Sequence, residues 1–285
     1  IWLEIDERDW ATLRERYLTN DWYWCQVTWN GVTAKAAARS RGNGSRNPVK
    51  PSLKLSFTRS KDCGPFLGMA SLLLNNFAQD PSCLKNALSQ TLFTKMGLPA
   101  PRTSYARVYV NKAYQGIHAV SEDIDAPFLQ RWFAQSDGWL YEYSWADYYY
   151  FGERGAGDED YVPAPFELKN NTKNPQNAAL RQFIETVNRA GTETLVPQLA
   201  PYLDLYQFLT FLAVEAFTDE RDGQTGDWGL NGFFLYRFLQ SAKFAFIPWD
   251  KDWSFMNPAR GVTHQLDQNV LGRRLLENRT LLDVQ

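Results

Sequence analysis

The sequence predicts an α+β protein in two lobes, strand-rich over residues 1–125 and more helical over residues 126–285. Three observations carry that prediction. Before Asp125, short runs alternate apolar and polar residues and are punctuated by Gly and Asn turn signals. After it, apolar residues recur at helical spacing in runs that start at Asn or Pro and stop at Gly. With 285 residues, 44% of them hydrophobic, the chain can bury a core large enough for both lobes.

The elements follow in order. "IWLEIDERDW" reads as a strand and the start of a helix. "WCQVTWNGVTAKAAARSRGNGS" alternates around an Asn30–Gly31 turn, and "SLKLSF" sets Leu53, Leu55 and Phe57 on one face with Lys54 on the other. A helix of about sixteen residues is expected from Asp80, with Pro81 in its first turn and Gly97 beyond its end. "YARVYVNKAYQGIHAV" reads as a hairpin turning near Asn111 and Lys112, and it runs into "SEDID". In the second half, Asn174 caps a helix with Pro175 in its first position and Gly191 at its stop, while Pro201 opens another. The apolar run Leu205 to Phe217 is too short for a bilayer and carries Glu215, so it reads as a buried helix. "YSWADYYYFGERGAGDEDYVPAP" reads as a long loop, of the kind that is functional or mobile. "LLENRTLLDVQ" at the end reads as the start of a helix.

Composition narrows the function. With 30 basic and 32 acidic residues well mixed, a net charge of −2 leaves no basic footprint for nucleic acid and no polybasic membrane patch. The sequence contains no transmembrane segment, and no leader-like stretch precedes Ile1. Cys25, Cys63 and Cys83 are too scattered for a disulfide framework or a zinc site, although one pair is possible. Two histidines, His118 and His264, exclude a His-rich metal centre, and His118 sits in a strand-like run where a structural role is expected.

The chemistry gathers around one hairpin. "FFLYRF" and "KFAFIPW" are strands separated by Leu239 to Ala242, with the centre between Gln240 and Ser241. Paired residue numbers then add to a constant, which sets Asn231 opposite Asp250 at a backbone separation of about 5 Å. An amide oxygen and a carboxylate held that close, with Asp252 beside them, are hard donors suited to Mg²⁺ when phosphates and water complete its shell. Asp227 is the nearby free carboxylate.

An Asp, an Asn, a short hairpin and a metal-binding Asp is also the order of parts in a protein-kinase site. The segments "RSRGNGS", "KPSLKLSF", "DPSCLKNALSQTLFTKMGLPAPR", "VYVNKAYQGIHAVSEDID", "FELKN" and "NGFFLYRFLQSAKFAFIPWDKDWSF" resemble the spore coat protein H (CotH) kinase family, in the family's order from about Arg39 to Phe255. The resemblance implies a two-lobed protein-kinase-like fold with ATP between the lobes, and transfer of phosphate from ATP, with Mg²⁺ or Mn²⁺, to Ser or Thr of a protein. It implies an extracytoplasmic place, secreted or at a cell or spore surface.

Residue roles follow from the same resemblance. Asp227 would take the part of the catalytic acid, Asn231 and Asp250 would hold the metal, and Asp252 would be a second metal candidate. Lys54 would meet the phosphates, with Lys50 as fallback. Arg41, Gly42, Gly44 and Ser45 of "RGNGS" would cover the phosphates, and Glu122 would lie near the nucleotide base. The chain departs from protein kinases at three points. Asp227 precedes Asn231 by four residues rather than five, and Asp222 precedes it by nine. The helix expected from Asp80 has no acid after its cap, so Lys54 needs another partner. There is neither an Asp-Phe-Gly nor a His-Arg-Asp triplet. Two rival classes remain: a carbohydrate-active enzyme using Asp222, Asp227, Asp250 and Asp252 with aromatic subsites, and a surface adhesion or coat-assembly module without turnover.

Overall fold

The structure is a computed structural model that describes residues 1–146 and 148–278. The expected final helix falls largely at 279–285, outside the described residues. The chain divides into two compact units, one of residues 1–87 and 101–136, the other of residues 88–100 and 137–285.

The first unit is a closed barrel. Its strands are β1 (Trp2–Ile5), β2 (Tyr23–Trp29), β3 (Val32–Ser40), β4 (Leu53–Ser56), β5 (Ser71–Asn75), β6 (Thr103–Val110) and β7 (Ala113–Glu122), in the order β1-β2-β3-β4-β5-β7-β6. Parallel pairing of β1 with β6, Trp2 against Tyr109 and Leu3 against Val110, closes the ring. The Asn111 side chain bonds both backbone groups of Ile5, accepting from its N–H at 2.9 Å and donating to its carbonyl at 2.8 Å. Leu3, Val27, Ala36, Ala38, Leu53, Leu55, Leu72, Leu74 and Val108 fill the interior, the small alanines suiting the narrow space. Asn30 and Asn111 take positive φ at the two tight hairpin turns, as the sequence signals require. Helix α1 (Glu7–Glu15) starts at Asp6, whose carboxylate accepts from the Arg8 and Asp9 N–H groups.

Helix α2 runs from Lys85 to Lys95, later than expected. Asp80 is buried and bonds the Ser82 N–H and hydroxyl and the Lys85 N–H, so it organises a turn before the helix instead of capping it directly. Gly97 does follow its end with φ +77°. Helix α3 (Ala126–Phe133) is capped by Asp125, which accepts from the Phe128 N–H.

The second unit contains a four-stranded sheet, in the order β11-β10-β8-β9, built from β8 (Trp139–Tyr143), β9 (Phe166–Leu168), β10 (Phe233–Arg237) and β11 (Phe244–Pro248). Helices α4 (Ala178–Arg189), α5 (Leu195–Leu199), α6 (Leu205–Phe217) and α7 (Val270–Leu276) accompany it. Helix α4 begins after Asn177 rather than at Asn174, and α6 is capped by Asp204, whose side chain accepts from the Gln207 N–H. Phe151, Phe166, Phe183, Phe208, Phe211, Phe233 and Phe246 build an aromatic core. The expected long loop supplies Tyr149, Phe151 and Tyr161 to that core, so these three aromatics are structural, whereas Trp145 and Tyr148 are exposed.

The two-lobed, protein-kinase-like fold with a strand-rich lobe and a helical lobe is therefore corrected: a closed seven-stranded barrel and a separate four-stranded sheet form, with seven helices among the described residues. Strand alternation revealed β2, β3, β4, β6 and β7 but not β5, whose Ser71–Asn75 run is buried throughout, nor the long-range β1–β6 pairing that closes the barrel, and aromatic richness hid β8 and β9. The three cysteines are free thiols, and burial pushes Cys25 up to about 12. Among the described residues, no helix is long and apolar enough to cross a membrane.

Candidate functional site

The β10–β11 hairpin has the register that its sequence dictates. Phe233 faces Pro248 and Arg237 faces Phe244, and one step beyond the strands the Trp249 N–H donates to the Gly232 carbonyl at 2.8 Å. The same sum of residue numbers sets Asn231 across from Asp250. Gly232 has φ +64°, and a Cβ there would lie 2.7 Å from the Asp222 carbonyl, 2.8 Å from the Trp249 carbonyl and 2.9 Å from Lys251 Nζ. Only glycine lets these three segments meet at the open end of the hairpin.

That convergence brings in Asp222. Asn231 Nδ2 donates to Asp222 Oδ2 at 2.9 Å. Burial, and then the negative charge of Asp250, raise the Asp222 carboxyl above its ordinary range. Asp250 itself is exposed, with φ +49°, whereas Asp252 is buried. Among the described residues no three His, Cys, Asp or Glu side chains gather as a metal cage. Two repelling carboxylates and an amide whose nitrogen is already spent on one of them are instead a partial set of hard oxygens. Hard oxygens of this kind suit Mg²⁺ or Mn²⁺ carried on phosphates, and Asp250 and the Asn231 Oδ1 are the residues that would hold such an ion.

Asp227 sits in different company. Arg221 donates to its Oδ2 through Nε at 2.6 Å and also through Nη2, and Arg260 Nη2 donates to its Oδ1 at 2.8 Å. Arg260 also pairs with Asp219 at 2.7 Å. Burial pulls Asp227 upward, but the two guanidinium groups outweigh it and hold the carboxyl below its usual range. A carboxylate so occupied is a weak base. Sequence spacing pointed to Asp227 because four residues is nearer to five than nine is; the turns between Asp222 and Asn231 fold the more distant acid back onto the amide.

Beneath this end of the hairpin lies a buried charge network. Lys251 Nζ donates to Glu215 Oε1 at 2.6 Å, and both side chains are essentially inaccessible. Burial alone would lower the Lys251 pKa, but Glu215, Glu220 and Asp222 more than reverse it and favour the charged ammonium, while burial raises the Glu215 carboxyl against the pull of Lys251. Burial pushes Glu220 up to about 7, and its carboxyl accepts from the Asp222 N–H at 2.9 Å and the Ser254 hydroxyl at 2.6 Å.

In the barrel unit, Lys54 on β4 forms an ion pair with Asp123, just past the end of β7. Asp123 is the partner that α2 does not supply. Ser71 Oγ donates to Asp123 Oδ2 at 2.7 Å, and the charge of Arg41 also acts on Asp123. Burial raises Asp123, yet Lys54 outweighs it and leaves the carboxyl below its ordinary value. The pairing was missed because β5 separates β4 from β7, a neighbour relation that local alternation does not encode. Glu122, by contrast, is clamped by Arg102 and Arg131. The Lys50 stem runs against Gly116 and its ammonium lies 5.6 Å from the Phe77 ring centre.

The "RGNGS" segment is a turn fixed from behind. Arg46 Nε donates to the Gly42 carbonyl at 2.7 Å, and its Nη1 reaches the Tyr17 and Thr19 carbonyls. Gly42 has φ +102°, and a Cβ there would collide with Ser45 Oγ, whereas a Cβ at Gly44 would find only Gln79 Nε2 at 3.6 Å. The first glycine is required by the backbone; the second is not.

Asp125, beside Asp123, gives a pH-dependent prediction. Burial first, and then the Asp123 charge, push its carboxyl from 3.8 up to about 6. A carboxyl raised on folding favours the folded state at low pH, and that advantage is lost as pH rises through about 6. Asparagine retains an oxygen to cap α3. Asp125→Asn is therefore expected to raise Tm by a few degrees at about pH 8 and to give no gain at about pH 4, as read from thermal melts at both values.

The family of the chain follows from comparison. The CotH family, described as "CotH kinase protein", matches residues 38–284, and the chain belongs to it. Two relatives come from Bacillus subtilis (strain 168). The chain is 24% identical over 251 residues to the inner spore coat protein H, covering 83% of this chain and 65% of that protein. It is 25% identical over 172 residues to an inner spore coat protein H-like protein, covering 60% of this chain and 46% of that one. The chain thus spans less than two thirds of the length of either relative.

Proposed function

We propose that this protein is an ATP-dependent protein kinase that transfers the γ-phosphate to a Ser or Thr hydroxyl of a protein. The observation that carries this reading is the meeting of Asp222, Asn231 and Asp250 at the open end of the β10–β11 hairpin. A bound Mg²⁺ or Mn²⁺ would neutralise phosphate charge there, with Asp250 and Asn231 as its protein ligands. Asp222, raised by its buried setting and oriented by Asn231, is the group suited to hold the acceptor hydroxyl and take its proton. The hydroxyl oxygen forms the new bond to the γ-phosphorus, the bond from phosphorus to the bridging oxygen breaks, and ADP leaves with that electron pair. Because such transfers depend mainly on positioning and charge, little covalent chemistry is asked of the protein.

In the barrel unit, Lys54, braced by Asp123 and with Arg41 nearby, is the candidate contact for nucleotide phosphates. Lys54→Met is expected to raise the KM for ATP about tenfold or more while the fold is retained, since it removes a charge-assisted contact. An unchanged KM would remove Lys54 from the nucleotide site. The names of the two relatives support a place in the spore coat.

The deciding experiment is phosphate transfer from labelled ATP with Mg²⁺ or Mn²⁺, onto the protein itself and onto a Ser-rich acceptor, with Asp250→Asn as control. Label incorporated by wild type and lost in the variant supports the kinase. Binding of neither metal nor nucleotide would instead favour an adhesion or coat-assembly role.

A further inference from the structure

Lys251 stands between Asp250 and Asp252, yet its side chain is fully buried. Its position links the two segments that carry Asp222 and Asp250. Along the chain it is the immediate neighbour of Asp250. Through space its Nζ grips Glu215 of α6 at 2.6 Å, and the other oxygen of Glu215 accepts the Gln224 N–H at 2.6 Å. Gly223 makes room for that carboxylate, because a Cβ there would lie 2.6 Å from Glu215 Oε2. Glu220 Oε1 holds the Asp222 N–H at 2.9 Å, while its Oε2 accepts from Ser254, on the segment that follows Lys251. Backbone on both sides of the Asp222 side chain is thus laced to two buried carboxylates, and the side of the network nearest Asp250 is supplied by Lys251. Nζ also lies 2.9 Å from where a Cβ on Gly232 would stand, next to Asn231.

We propose that Lys251 is a positioning residue: by pairing with Glu215 it fixes the Asp222 loop against the Asp250 end of β11, setting the spacing of the two carboxylates. The inference rests on reading Asp222 and Asp250 as the metal and acceptor centre. Neither Lys251 nor Glu215 is assigned any contact with metal or substrate, so their effect is transmitted through Asp222 and Asp250.

The test uses the double variant Glu215→Gln/Lys251→Met, because Lys251→Met alone strands a buried carboxylate. The double change removes one charge of each sign, so the net charge is unaltered and a changed cation affinity reports geometry. Mn²⁺ binding to the protein alone is measured by electron paramagnetic resonance, with circular dichroism to verify folding and amide exchange read at Asp222 and Gln224. The expected result is a folded protein that binds Mn²⁺ at least about tenfold more weakly, with both amides exchanging faster and those of β10 and β11 unchanged. Affinity within about twofold of wild type overturns the proposal. If wild type binds no Mn²⁺, the kinase reading is what fails, and the amides then decide this one: unchanged exchange at Asp222 and Gln224 overturns it, and faster exchange there upholds the tether.

Discussion

Asp222→Asn is expected to lower phosphate transfer by about a hundredfold or more, whereas Asp227→Asn lowers it by no more than about tenfold. The difference comes from what each carboxylate already holds. Burial first, and then the repulsion of Asp250, raise the basicity of Asp222, while the single hydrogen bond from Asn231 opposes that rise and orients the carboxylate. Asp227 is shared between Arg221 and Arg260, and both depress its basicity. Steady-state kinetics of the two variants, with melts to show that each remains folded, separates them. A dead Asp227→Asn beside an active Asp222→Asn would reverse the assignment and make the arginine pair part of the acceptor site.

Lys251→Met alone is expected to cost about 3–5 kcal/mol of stability, the order found when one member of a buried ion pair is removed. The cost lies mainly in the carboxylate left behind. Glu215 would keep the Gln224 N–H but lose its cation at a position closed to bulk solvent. Adding Glu215→Gln should restore most of the loss, since a neutral amide pays no charge desolvation there. Urea unfolding of the single and double variants measures both. A single variant within about 1 kcal/mol of wild type would mean that the pair is weakly coupled and that Glu215 can bind a proton at little cost.

Local features of the fold were legible in the sequence, and relations across the chain were not. The Asn30–Gly31 and Asn111–Lys112 turns, the strand and helix start within residues 1–10 and the 233–248 register are set by a few neighbouring residues, and each was readable. The start of α2 was misread because Asp80 looks like a helix cap in sequence, while its burial and its bonds to Ser82 and Lys85 make it the pivot of a preceding turn. Barrel closure depends on β1 meeting β6, which no local pattern announces. Within the candidate site, Asn231 could be placed across from Asp250 by hairpin arithmetic. Asp222 could not, because its approach depends on the compact path around Gly223 and Gly232. Lys251 was hidden for a related reason: a lysine flanked by two aspartates looks solvent-facing until its buried partner on α6 is known.

The Asn111 clasp on Ile5 has a practical consequence for anyone trimming this protein. The family match begins at residue 38, inside β3, so a fragment cut to that boundary discards β1 and β2. What remains is a ring with a gap, in which β6 and the remnant of β3 present bare backbone donors and acceptors to any passing chain. Such a fragment would carry every proposed site residue and still be prone to stick to its own copies, because its solubility depends on the strands left out.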